Sequence, residues 1–241
     1  MLRIIMKLPK IDKPLFDLPF PSKNTKLLCR PFLVKEEKIL LTAQQSGDDK
    51  DIVRAIKQIL QLCIQDPSFN SDDLATFDLE YMFLKLRAKS VNNIIEVSYR
   101  DSEDDEIYNF TIDLDEVELL VKKEFENKLM LNDKIGLVMK YPSINVIDDL
   151  NDKMSPSDVV EHLIAKCIDS VFDEENVYPF SEYSDIEINE FIESLDIESF
   201  NKIREFFDSI PQMYHKIEYT NKKGNARKIE LSSLSDFFTW G

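Results

Sequence analysis

Only two histidines, His162 and His215, stand beside three cysteines, Cys29, Cys63 and Cys167. A Cys–His nucleophile pair needs its thiol and imidazole within hydrogen-bond reach. Cys167 follows His162 on a segment with helical spacing, and five residues of helix turn the two roughly 140° apart. Cys167 also falls on the apolar stripe of that segment, so it reads as a packing thiol. His215 opens a strand-like stretch with no cysteine or histidine nearby, and no zinc-ligand spacing occurs. Asp113 and Asp115 alternate on what reads as a strand, which would turn both carboxylates to one face. Such a pair is a start for divalent-cation chemistry of the metal-dependent hydrolase kind; a solvated strand end is the other reading. The acidic run Ser102 to Glu106 lacks the glycine and ligand spacing of a calcium loop. Four glycines in 241 residues leave no phosphate-cradling loop. The residues therefore point to no catalytic residue, no metal and no cofactor, with the Asp113–Asp115 hydrolase kept as the alternative.

The elements that must position any site follow from composition and spacing. With 43% apolar and 32% charged residues, the chain is long enough to bury a core and reads as globular. A formal net charge of −16 repels phosphate backbones and argues against nucleic acid as partner. Three cysteines, an odd number widely spaced among apolar residues, argue against a disulfide framework. The start, MLRIIMKLPK, has no apolar core of signal-peptide length. No run approaches the roughly 20 apolar residues of a membrane span. These features point to a cytoplasmic protein without membrane insertion.

Residues 1–31 hold half of the ten prolines and seven Lys/Arg against two Asp. The expectation is an extended, basic arm, packed on its own domain or docked on a partner. A helical region, 32–92, follows. Helices are expected from Val34 to Ala43, from an N-cap at Asp48 or Asp49 to about Ile64, and from Asp78 to about Ser90. At Asn93 the period changes to two, and residues 93–142 read as an inserted antiparallel sheet of four or five strands. An acidic helical region, 143–213, starts with the cap Ser155-Pro156-Ser157-Asp158 and a stripe from Val160 to Val171. It continues with the capping box at Ser184 and a last helix from Phe200 to Ile210. Residues 214–241 read as a hairpin around NKKGN and a terminal aromatic segment. The fold class expected is α+β: a mainly helical body with an inserted small antiparallel sheet and a C-terminal β-hairpin, all in one unit.

From Asp169 to Asp208 thirteen acidic residues face only Lys202 and Arg204. This is either a solvated helical face or a surface that steers a basic partner.

Four segments, RPFLVKEEKILL (30–41), FDLEYMFLKLRAKSV (77–91), DKIGLVMKYPS (133–143) and HKIEYTNKKGNARKIELSSLSDFF (215–238), resemble the baseplate hub assembly proteins of T4-like bacteriophages. The resemblance runs in the same order along nearly the whole chain. It implies a virus-encoded protein made in the bacterial host cytoplasm, acting in assembly of the tail baseplate hub as a chaperone or minor hub component. It implies hub or tape-measure proteins as partners, no catalysis and no cofactor, and brings no site residues with it. Residue chemistry supplies the candidate contacts. They are Arg30, Phe32, Lys35 and Glu36 where the arm meets the first helix, the basic row Lys85, Arg87 and Lys89, and the aromatic cluster Phe237, Phe238 and Trp240.

Overall fold

The computed structural model describes residues 12–121, 127–148 and 154–237. Within the proline-rich start, residues 16–29 fold back on themselves. Strands β1 (Phe16–Phe20) and β2 (Thr25–Cys29) pair antiparallel, Phe16 opposite Cys29 and Phe20 opposite Thr25. A 3-10 turn at Pro21–Lys23 joins them, closed by Asn24 at φ 49°, a left-handed position that asparagine tolerates. Leu18 and Cys29 are fully buried. The hairpin is tied down where the Arg30 N–H donates to Cys63 O at 3.0 Å and the Gln65 N–H to Leu28 O at 2.8 Å.

Helix α1 (Val34–Ser46) stops at Gly47, whose φ of 69° gives the left-handed cap that glycine adopts without a Cβ penalty. Asp48 caps α2 (Asp49–Cys63) by accepting from the Lys50 N–H. Ile52, Ile56, Ile59, Leu60 and Cys63 are its buried stripe. Helix α3 (Thr76–Ser90) buries most of its circumference, including Phe77, Leu79, Met82, Phe83, Leu84 and Leu86. A helix buried nearly all round is a central one.

Next come β3 (Ile94–Arg100), β4 (Ile107–Asp113), β5 (Glu118–Leu120), β6 (Lys128–Met130), β7 (Gly136–Met139), α4 (Ile144–Asp148), α5 (Pro156–Cys167), β8 (Ile168–Phe172) and β9 (Val177–Pro179). The chain ends with α6 (Asp185–Glu193), α7 (Ile197–Asp208), β10 (Gln212–Thr220), β11 (Ala226–Leu231) and α8 (Leu234–Phe237).

This order corrects the expected architecture. The fold is α+β, but with 43% helix, 28% strand and four sheets of two to four strands among the described residues the body is not mainly helical. The single inserted sheet does not form either. Strands β3 and β4 make a separate hairpin, β5 pairs with β10, and β6 and β7 join β8 and β9 in the order β6-β7-β8-β9. Alternation marks a segment as strand but does not choose its partner. The helix expected to run to Val171 ends at Cys167, and Ile168–Phe172 is strand. A short apolar run fits both periods. In β7, a Cβ on Gly136 would lie 2.3 Å from the Phe172 ring, so only glycine lets that ring cover the strand.

Two apolar cores result. The larger joins the β1–β2 hairpin, α1, α2, α3, β4, β10 and α8. The smaller joins β7, α5, β8, α6 and α7. Tyr141 packs against the smaller core, its ring 6.2 Å from Phe206, and reaches α3 through Phe77, 4.9 Å away.

Candidate partner-binding surface

Most of the charged residues singled out from the sequence are engaged within the fold. Arg30 donates to Glu36 Oε1 at 2.8 Å, Leu62 O at 3.0 Å and Pro31 O at 3.0 Å. Glu36 has no solvent exposure and also accepts the Leu33 N–H at 2.8 Å. Burial alone would raise its pKa, but hydrogen bonds from Arg30, Leu33 and Lys35 hold it below the ordinary value. Phe32 is buried; Lys35 is exposed and lies 3.2 Å from Glu36. The expected basic row is divided. Lys85 is buried, and its ammonium donates to the carbonyls of Leu114, Asp115 and Val117 at 2.8, 3.0 and 2.9 Å. Arg87 is half-buried, and Lys89 is exposed and pairs with Asp115 at 3.1 Å. Phe237 is buried on α8; Phe238 and Trp240 lie outside the described residues. Beside α8, burial pushes the Glu80 carboxyl up to about 7, against the pull of a hydrogen bond from the Leu234 N–H.

Asp113 and Asp115 do not share a strand face, because β4 ends at Asp113 and Asp115 lies in the following turn. Asp113 Oδ1 accepts from Asn93 at 3.0 Å and from the Asp115 N–H at 2.9 Å. Among the described residues no group of three His, Cys, Asp or Glu is placed to hold a metal ion. Cys29, Cys63 and Cys167 are free thiols, all buried. His215 lies in β10, opposite Leu231. Among the described residues no helix is long and apolar enough to cross a membrane.

The acidic run after β3 has a role that spacing did not reveal. The β3–β4 turn is clasped by the β10–β11 turn. Tyr219 donates to the buried carboxylate of Asp101, and Arg227 Nε donates to the same oxygen at 3.0 Å. Asn221 and Asn225 donate to the two oxygens of Glu103 at 2.7 and 2.6 Å. The Tyr219 bond, foremost, draws the Asp101 pKa below the ordinary range. Burial and that same carboxylate push Tyr219 up to about 12.

Exposed apolar side chains are spread over the molecule, Val34, Val91 and Ile107 among them, and three of the most exposed lie on the acidic segment. Ile197 is 81% exposed, Ile186 71% and Val177 64%. Between α5 and α7 lies a groove of about 430 Å³, lined by Val160, Leu163, Phe200, Ile203 and Phe207 with Arg204 at its edge. Between β9 and α6 lies a second pocket of about 290 Å³, walled by Tyr178, Phe180, Tyr183, Ile188 and Phe191, with Glu187 among its lining residues. Phe180 and Phe191 meet edge to face, with centroids 5.9 Å apart. The sequence reading passed over Tyr178, Phe180 and Tyr183, although three aromatics within six residues were a visible signal. Of the two basic residues here, Lys202 is engaged by Glu198 at 3.2 Å and by Leu131 O at 2.9 Å.

No curated protein and no solved structure matches the chain. The family model described as T4 bacteriophage base plate protein matches residues 4–239. With nearly its whole length covered, the chain belongs to the T4 bacteriophage base plate protein family.

Proposed function

We propose that this baseplate protein acts in assembly of the central hub of the tail baseplate, through contacts with hub or tape-measure proteins and without catalysis. It works in the bacterial host cytoplasm, keeping an aggregation-prone subunit soluble and oriented until that subunit is built in. The observation that carries this reading is the pair of apolar hollows on the acidic segment, the groove between α5 and α7 and the pocket between β9 and α6. Grouped exposed apolar side chains within a charged surround are the usual mark of a protein–protein contact. The thirteen carboxylates around them would keep the free protein apart from its own copies and raise encounter rates with a cationic partner.

The test is a pull-down of the tagged protein from infected cells, with mass spectrometry of the captured proteins and of purified virions. Hub or tape-measure proteins captured, with the chain absent from virions, is the expected result. The chain present in virions at fixed copy number would instead make it a permanent structural subunit. Capture of no baseplate protein would end the proposal.

A further inference from the structure

We infer that the pocket between β9 and α6 anchors an arginine or lysine side chain, carried on a basic, partly apolar segment of a partner protein. The inference rests on the assembly reading above and names the partner's chemistry at one site. At about 290 Å³ the pocket suits one long side chain and not a drug-sized ligand. Its walls are the rings of Tyr178, Phe180, Tyr183 and Phe191. Aromatic faces attract guanidinium and ammonium groups through the ring quadrupole. Tyr183 is 41% exposed, so one wall stands open to an incoming group. The Tyr178 hydroxyl donates to Asp173 at 2.8 Å, which pins a second ring.

Glu187 supplies the charge. Its Oε2 accepts from the Ser184 N–H at 2.9 Å and the Ser184 hydroxyl at 2.7 Å; its Oε1 accepts no hydrogen bond from a described residue. The carboxylate is thus held in place by the helix cap with one oxygen available to a cation. Val177 and Ile186, both largely exposed, flank the pocket in sequence and give aliphatic neighbours of the anchor something to cover. The charge around the pocket selects the sign of the partner: thirteen acidic residues against two basic ones between Asp169 and Asp208. The groove between α5 and α7 lacks this specification, since Arg204 is its only charged lining residue.

The test uses the full chain and a fluorescein-labelled, capped twelve-residue peptide of alternating leucine and arginine, with binding read by fluorescence anisotropy at low salt. The controls are the same peptide with citrulline, a neutral isostere, and with glutamate in place of arginine. Tyr183→Ala removes a wall of the pocket; Glu187→Gln removes the charge and keeps the capping box. Each is expected to weaken the arginine peptide by about tenfold or more, the loss of one buried contact of this kind. Phe200→Ala in the other groove and Glu205→Gln on α7 are expected to stay within about twofold, and neither control peptide is expected to bind. Equal binding by all variants would mean diffuse attraction, and weakening by Phe200→Ala alone would move the site to the α5–α7 groove. Either result, or no binding by the unmodified chain, overturns the inference. The pull-down separates the two readings. If the Tyr183→Ala, Glu187→Gln double variant captures baseplate proteins as well as the unmodified chain does, the anchor falls and the assembly role stands. If the unmodified chain captures none, the assembly role falls first.

Discussion

At the scale of single residues, two ionisable groups of α3, the buried Lys85 and the half-buried Glu80, respond to burial in opposite ways. Lys85 is pulled below its ordinary pKa by burial, yet it satisfies three carbonyls of the turn between β4 and β5. Lys85→Met keeps the bulk and removes the donors, leaving those carbonyls without their partner. Urea unfolding should show a loss of about 2–4 kcal/mol; a loss below about 0.5 kcal/mol would mean water replaces the ammonium. Glu80 is the reverse case, a carboxyl that burial raises to about 7. A raised folded-state pKa means that the folded chain holds the proton more tightly. Its favourable contribution is complete below the unfolded pKa of about 4.3 and is lost as pH rises through about 7. Glu80→Gln should therefore be the more stable protein at pH 8, by on the order of 2 kcal/mol, and the gap should close near pH 5. Denaturation series at the two pH values check the sign.

Between elements, the clasp of the β3–β4 turn by the β10–β11 turn joins segments more than a hundred residues apart through Asp101, Glu103, Tyr219 and Arg227. A tyrosine buried beside a carboxylate gives up its proton late. In a spectrophotometric titration Tyr219 should ionise near 12, beyond the ordinary value of about 10. Asp101→Asn should bring it down, and Tyr219→Phe should shrink that step to the part left by Tyr141, which burial also pushes up to about 12. Asp101 itself has a lowered folded-state pKa, so its contribution is present above the unfolded value and lost as pH falls through the folded one. An Asp101→Asn chain should thus melt below the unmodified protein at neutral pH, with the difference narrowing in acid.

For the whole molecule, the decisive feature is two cores of unequal size, with Tyr141 of the smaller one set against Phe77 of α3. Smaller apolar clusters open at lower free energy than larger ones. Hydrogen exchange should find α5, α6 and α7 less protected than α2 and α3. Tyr141→Ala should speed exchange in α5–α7 while leaving α2 and α3 near their original protection. Equal loss in both would show one cooperative unit and not two coupled ones. The same division places most of the acidic surplus on the smaller unit, so the docking surface proposed above belongs to the part expected to open first.

Features set by neighbours a few residues away were legible in the sequence. The capping boxes at Ser155 and Ser184 and the cap at Asp48 are present with their side-chain bonds, because a cap needs only residues within one turn. The long helical stripes of α2 and α7 follow the same local logic. The family resemblance was also legible, since it rests on residue order alone. Tertiary structure decided the rest. Strand β5 finds β10 and β7 finds β8, pairings that alternation cannot specify because every strand offers the same backbone groups. Lys85 looked like one of three cations in a basic row and became a buried donor, because the turn carrying Leu114, Asp115 and Val117 folds over it. Tyr178, Phe180 and Tyr183 are close in the chain, but only the packing of α6 against them brings Phe191 and Glu187 to the same pocket. Local periodicity and charge named the elements and the sign of the surface; long-range contacts, which depend on which distant segments meet, chose the partners of each strand and the place of the pocket.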